Sequence, residues 1–303
     1  MSENKKVADR FVVSHFFDFD VYPESRWEVI FEDFAECGAS SLTLRRETLA
    51  QMLGRPGIVD KLRRGGEKYK LKFFDAHGLW GGGQIWDLAV EDTTRRPLMF
   101  EQHKLCMRIL ASLGVRTYTM HLGHLCSVDR WEGHEDFYRD LVTRSLEELL
   151  PAAEKEGMVL CIENQYDPET APDELLHYVR RLRSDALGIC FDVGHAAIMA
   201  DDTIPRNRDE NGDENRMRRW HGKLKFQHNA LEQLAPHVVT AHLHDNDGCS
   251  DLHKLIFDGV IDWGKYMATL RKCPRLVSIQ DEALPEAASI ARRCRVFKEL
   301  LVS

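Results

Sequence analysis

Eight short, nearly all-apolar runs recur along the chain, separated by helix-like sequence, and this rhythm limits the fold more than any other feature. The runs are 10–16 (RFVVSHF), 40–44 (SSLTL), 69–76 (YKLKFFDA), 115–121 (VRTYTMH), 158–163 (MVLCIE), 187–192 (LGICFD), 237–244 (HVVTAHLH) and 275–280 (RLVSIQ). Strands buried on both faces must be apolar almost throughout, as several of these are. Between them, Leu105, Ile109, Leu110 and Leu113 are spaced along one helix face that ends at Gly114. A second helix is predicted over 135–156, with Leu146, Leu149, Leu150 and Ala153 inward and Gly157 as its stop. Strands alternating with helices predict a parallel sheet, and eight strands close a barrel. The expectation is one α/β domain over 1–303, a (β/α)8 TIM barrel. A doubly wound open sheet would want a glycine-rich turn after its first strand, which HFFDFDVYPES lacks.

Two segments interrupt the rhythm. Residues 78–97, rich in glycine and tryptophan, follow the third run, and the polar residues 201–226 follow the sixth. On a barrel both are βα loops over the mouth, where long loops serve as lids or binding loops. The run Gly81–Gly83 offers backbone amides to a phosphate, on its own a weak signal.

A net charge of −8 disfavours a nucleic-acid partner. The arginines and lysines between Arg206 and Lys225 are interleaved with acids and read as a solvated surface. No apolar leader opens the chain and no stretch is long enough to span a membrane, so a cytoplasmic protein is expected. None of the eight cysteines forms a C-x-x-C pair, and all are read as reduced thiols.

The functional signal lies at the strand ends. The third run closes on His77, the fourth on His121, the fifth on Glu163, the sixth on Asp192, and His242 lies in the seventh. A lone histidine at a strand end is more often structural, and Asp192 alone reads as a helix cap. Five such residues converging on one mouth are different, because buried carboxylates and imidazoles are costly unless paired or bound to a cation. Asp192-Val-Gly-His195 adds an imidazole, and His242-Leu-His244 places two rings on one face. Asp247, Asp251 and His253 follow. A mixed nitrogen and oxygen set suits Zn²⁺, Mn²⁺, Co²⁺ or Fe²⁺, or the harder Mg²⁺, over a thiolate-seeking metal. His124, His134, His177, His221, His228 and His237 lack such placement and are read as surface or structural residues.

Cys161-Ile-Glu163-Asn164, Phe191-Asp192-Val-Gly-His195-Ala and Ala241-His242-Leu-His-Asp-Asn-Asp247-Gly together resemble the xylose-isomerase-like TIM-barrel superfamily. Asp251-Leu-His253 followed by Gly259-Val-Ile-Asp-Trp263 resembles its D-x-H…G-x-I-D-W signature. That superfamily holds sugar isomerases and epimerases, inosose dehydratase and apurinic endonucleases. In the isomerase branch the resemblance implies one divalent metal on Glu163, Asp192, His242 and an acid from the eighth strand, with His195 on the substrate. In the endonuclease branch it implies up to three zinc ions, adding His77 and His121 to Glu163 and grouping His195, Asp251 and His253. The eighth-strand glutamate falls on Gln280, which offers a carbonyl oxygen but no base; Glu282, two residues on and on the same face, is the substitute.

Two chemistries follow. The first is isomerisation, epimerisation or dehydration of a small carbohydrate by proton abstraction α to a carbonyl, with Glu163 as base. The second is multi-zinc hydrolysis of a phosphodiester, bridged by Glu163. A barrel with a relic metal site that only binds is a third reading. His244, Asp247, Trp80 and Trp86 are candidate substrate contacts, and the tryptophans serve equally well for a contact within a homo-oligomer.

Overall fold

The computed structural model describes residues 11–81, 86–123, 131–200, 220 and 223–302. Gly82, Gly83, His124, Cys126, His221 and most of 201–226, with its arginines, lie outside these residues. Eight parallel strands close in sequence order: β1 Val12–Phe16, β2 Ser41–Leu44, β3 Lys72–His77, β4 Thr117–Met120, β5 Val159–Glu163, β6 Leu187–Asp192, β7 Val238–Leu243 and β8 Ser278–Asp281. Each predicted run coincides with one of them to within a residue or a few at its ends. Closure is made by β1 on β8, where Val12 pairs with Ser278 and His15 with Asp281.

Most of the helices packed around the barrel bury one face, and the short helix Val193–Met199 is buried throughout. The helices are α1 Trp27–Glu36, α2 Arg46–Gly54, α3 Gly57–Tyr69, α4 Arg96–Ser112, α5 Glu135–Glu156, α6 Pro172–Leu182, α7 Val193–Met199, α8 Ala230–Leu234, α9 Trp263–Leu270 and α10 Ile290–Val302. α5 buries Leu146, Leu149, Leu150 and Ala153 and ends on Gly157 at φ 65°, as its pattern predicts. α4 is rotated from its predicted face. It buries Met99, His103, Cys106, Met107 and Leu110 and leaves Leu105 exposed, because its inner face includes a polar ring that apolar spacing does not register.

That ring belongs to His103. It is fully buried, with Tyr118 Oη 2.8 Å from Nδ1 and the Trp86 carbonyl 2.8 Å from Nε2, so Nε2 donates to the carbonyl and the tyrosine donates to Nδ1. The tripod ties α4 and β4 to the loop after β3.

The barrel interior is polar where such interiors are commonly filled by branched apolar side chains. Asp75 Oδ1 accepts hydroxyls from Thr117, Ser278 (2.9 Å) and Thr240 (3.4 Å). Ser14 and Ser41 meet at 3.1 Å. Above this layer stand the strand-end residues.

Burial pushes the His103 imidazole down to about 4. A folded-state value below the unfolded one gives stability that is present above pH 6.5 and lost as pH falls toward 4. The loss is on the order of 3 kcal/mol over that window at about 1.4 kcal/mol per unit. Thermal melts from pH 7 to 4 are expected to show a shallower acid slope in His103→Gln than in wild type; equal slopes would contradict the neutral, buried ring.

Candidate metal centre

The strand ends deliver their side chains to one mouth. Glu163 sits at the hub, with Oε2 2.9 Å from His121 Nε2 and 3.5 Å from His77 Nε2, and Oε1 3.0 Å from His242 Nδ1. Around it lie groups whose donor atoms all fall within 4.8 Å of one another. One is His77, His121 and Glu163; the next is Glu163, Asp192, His242 and Glu282. The third, His195, His244, Asp251 and His253, stands beside them. Thus the candidate ligands His77, His121, Glu163, Asp192, His195, His242, Asp251 and His253 converge, joined by His244, read from sequence as a substrate contact, and by Glu282, read as a base, while Gln280 belongs to none of these groups. Gln280 pairs in register with His242, two residues deeper in the barrel than Glu282. Asp247 and Trp86 do other work: Asp247 Oδ1 accepts the Cys249 and Ser250 amides in a turn, and Trp86 packs against the apolar core.

Local sequence explains the placement. Asp192 ends β6 and caps α7, accepting the His195 amide at 2.7 Å, so the spacing D-x-x-H turns His195 back over the mouth. Asn164 clamps β5 to β6 by bonding both the amide (2.8 Å) and the carbonyl (2.9 Å) of Asp192. Gly194 leaves room for the His244 ring, since a methyl carbon there would lie 2.0 Å from Cε1. The loop after β7 is organised by Asp245, a residue to which the sequence pattern assigns no role. Its carboxylate accepts the amides of Asn246, Phe257 and Ile261 and the indole of Trp263. Gly259 permits the close approach, as a Cβ would meet the Asn246 carbonyl at 2.1 Å. The G-x-I-D-W signature is therefore a brace for the segment that carries Asp251 and His253.

A cation fits these residues on two grounds. His77, His195 and His253 each direct Nδ1 at a backbone carbonyl, of Gly78 (3.4 Å), Asn164 (3.0 Å) and Glu282 (3.0 Å), which turns Nε2 toward the mouth. Metal-binding histidines are held in that way. Moreover, Glu163 Oε2, Glu282 Oε2, Asp251 Oδ1 and His244 Nδ1 are buried without a hydrogen bond of good geometry, though imidazoles and carboxylates surround them. Groups that crowd together without bonding are converging on a shared point.

Electrostatics agree. Burial alone would push the Glu163 carboxyl up, but attraction to His242, the hydrogen bond they share and the close imidazoles of His121 and His77 hold it well below the usual range. Burial disfavours a charged His195, yet Asp192 and Asp251 together raise it well above an ordinary imidazole. His253, opposed by burial and favoured by Asp251, rises to about 9. Without metal, protons on histidines take the part of the cation. Cys190 also faces the Glu163–His242 pair, but burial raises its thiol to about 12, which keeps it neutral.

The mouth opens into a cavity of about 340 Å³, lined by Phe16, Trp80, Gln165, Tyr166 and His195 among others. Trp80 stacks on His121 with ring centres 4.7 Å apart, and the Arg46 guanidinium lies over the Trp80 ring at 3.7 Å.

The profile of the xylose isomerase-like TIM barrel family matches residues 31–295. The chain belongs to that family. Among solved structures, a D-tagatose 3-epimerase-like protein superposes with a TM-score of 0.68 at 20% identity, covering 89% of this chain and 91% of that one. The E. coli 3-keto-D-glucoside 4-epimerase YcjR gives 0.70 at 14% identity, covering 97% and 100%. A xylose isomerase-like TIM barrel protein from Mycobacterium smegmatis, solved in complex with magnesium, gives 0.65 at 11%, covering 97% and 98%. These likenesses establish the fold. Among curated proteins, y4fM of Sinorhizobium fredii, itself uncharacterized, is 25% identical over 158 residues, 51% of this chain and 43% of its own length. The match thus spans less than half of that relative.

Gly194→Ala drives a methyl into the His244 ring and is expected to destabilise the metal-free chain by roughly 1–3 kcal/mol, read as a lower melting temperature. Gly54→Ala, at an exposed helix end with nothing within 4 Å, serves as the neutral control. Equal melting of the two variants would contradict the packing of His244.

Proposed function

We propose that the chain is a divalent-metal-dependent isomerase or epimerase of a small carbohydrate, acting by removal of a proton α to a carbonyl. The observation that carries this reading is the group Glu163, Asp192, His242 and Glu282, four buried donors from the ends of β5, β6, β7 and just past β8. These four are the residues that would hold the metal. When bound, a divalent ion offsets the negative charge that develops on the sugar oxygens. Two carboxylates from non-adjacent strands flank His242, whose Nδ1 is 3.0 Å from Glu163 and 3.1 Å from Glu282. One carboxylate takes the proton; its delivery by the same group to the neighbouring carbon, with a hydroxyl proton passing between the two oxygens, gives isomerisation, and delivery by the other carboxylate to the opposite face of the original carbon gives epimerisation. Glu282 thereby offsets the base that Gln280 cannot supply. His195 orients a substrate oxygen, Trp80 gives an apolar wall for the C–H face of a sugar, and a cavity of about 340 Å³ suits a small molecule. The epimerases among the structural neighbours support the same chemistry by analogy.

A second reading, multi-zinc phosphoester hydrolysis, is favoured by the other two ligand groups. His77 and His121 share Glu163 with the first, and His195, His244, Asp251 and His253 form another beside it.

Elemental analysis of chain purified without chelator or an affinity-tag metal separates the two. One divalent ion per chain, with solvent deuterium entering a sugar from a substrate panel, is expected for the isomerase. Two or three zinc ions with phosphodiesterase turnover would replace it by the hydrolase. For the isomerase, Glu163→Gln and Glu282→Gln are each expected to lower kcat by about 10²–10⁴-fold, while Gln280→Ala leaves most of the turnover in place. Retained turnover in Glu163→Gln would refute its assignment as base. Chelation is expected to abolish turnover, and added Mn²⁺ or Co²⁺ to restore it.

A further inference from the structure

We propose that Arg293, on the outer side of the barrel, is a positioning residue that aims Glu282 and His253 at the metal centre. The inference rests on the metal reading above and concerns a residue that touches neither substrate nor ion.

Arg293 lies on α10 with its side chain 2% exposed, which is unusual for an arginine. Nη1 donates to Asp281 Oδ1 at 3.0 Å, and Nη2 donates to the carbonyls of Ala283 (2.8 Å) and Leu284. The other Asp281 oxygen meets His15 Nδ1 at 3.1 Å, and the His15 ring packs on Phe34 and Phe297. A buried Arg293–Asp281 ion pair and the His15 ring bonded to it are thus sealed among aromatic rings between β1, β8 and the helices α1 and α10. Replacing such a group by apolar packing is often neutral or stabilising, so stability alone is a weak reason for it.

Its placement supplies a stronger one. Side chains alternate along β8, so Asp281 faces the helices while Glu282 faces the mouth. Glu282 lies one residue past the strand, tethered there by its amide to the Leu243 carbonyl (3.1 Å). Arg293 grips the residues on both sides of it. The same backbone fixes the neighbouring ligand group: the Glu282 carbonyl accepts from His253 Nδ1 at 3.0 Å, and the Leu284 amide donates to the His253 carbonyl at 2.9 Å. His253 itself holds a left-handed φ of 43°, a conformation that needs outside support. One guanidinium therefore braces a ligand in each of two groups.

The test measures Mn²⁺ and Co²⁺ affinity by competition with a chromophoric chelator, together with the visible spectrum of the Co²⁺ form. Arg293→Lys keeps the charge and loses the fork. It is expected to bind about 10–100-fold more weakly, the usual effect of losing a partner behind a metal ligand, with a changed Co²⁺ spectrum and a cooperative melt. Arg271→Lys is the control, since Arg271 also donates to backbone carbonyls, of Leu300 and Leu301, away from the mouth. It is expected to lower the melting temperature and leave affinity unchanged. Wild-type affinity and spectrum in Arg293→Lys, or equal losses in both variants, would overturn the proposal. Should Arg293→Lys fail to fold, Asp281→Asn weakens the same clasp: lowered affinity with a changed spectrum supports the proposal, and wild-type values overturn it. A wild-type chain that takes up neither ion would overturn the metal reading and this inference together.

Discussion

The carboxylate of Glu163 is the constraint on which the rest depends. It is 1% exposed and has imidazole nitrogens of His77, His121 and His242 within 3.5 Å. A buried carboxylate in that position must be balanced, and the chain offers two ways, with His242, whose surrounding carboxylates favour its proton, and with an arrangement that could receive a cation. The two are alternatives, because a ligating nitrogen cannot also carry a proton. This explains why so many donors crowd the mouth without completing hydrogen bonds.

Holding ionisable groups at such close range demands rigid supports, and these lie outside the mouth. Asn164 locks the ends of β5 and β6, Asp245 gathers four donors from the loop after β7, and Arg293 clasps the end of β8. Each is a buried polar residue bonded largely to backbone rather than to the mouth itself. Backbone bonding suits the task, since the geometry of a ligand follows from the path of its main chain before its rotamer is chosen. The interior below the candidate ligands repeats the theme, with three hydroxyls gathered on Asp75 Oδ1 in place of apolar layers.

The barrel is legible in the sequence because strands buried on both faces leave continuous apolar runs, and the ligands because they interrupt those runs at their ends. His77, Glu163, Asp192 and His242 need no long-range information to stand out. The supports are not legible. Arg293 looks like any other basic residue of an amphipathic last helix, and only the fold shows it to be buried against β8. Asp245 is one acid among several in a polar loop. The inward face of α4 escapes apolar spacing for a related reason: a histidine with two buried partners packs as an apolar residue does, and leucine positions alone do not reveal it. The choice between Gln280 and Glu282 falls between these cases. Alternation puts both on the inner face, but only depth along the barrel separates them.

On the proposed reading, the number of cations held at the mouth would also fix the field that a substrate meets. Its ligand groups contain four carboxylates, Glu163, Asp192, Asp251 and Glu282, and six histidines. With one divalent ion and protons kept on His195 and His253, the four carboxylates are balanced, a field that suits a neutral polyol. Three ions, with the histidines neutral as ligands, would leave two positive charges in excess and call for an anion, such as a phosphoester or hydroxide, to complete the balance. A second or third ion would therefore change more than reaction rate: the third would turn a balanced mouth positive. On the proposed reading, selectivity between a sugar and a phosphodiester would follow from the occupancy of the His195–His244–Asp251–His253 group, where a further cation and the protons of His195 and His253 are alternatives.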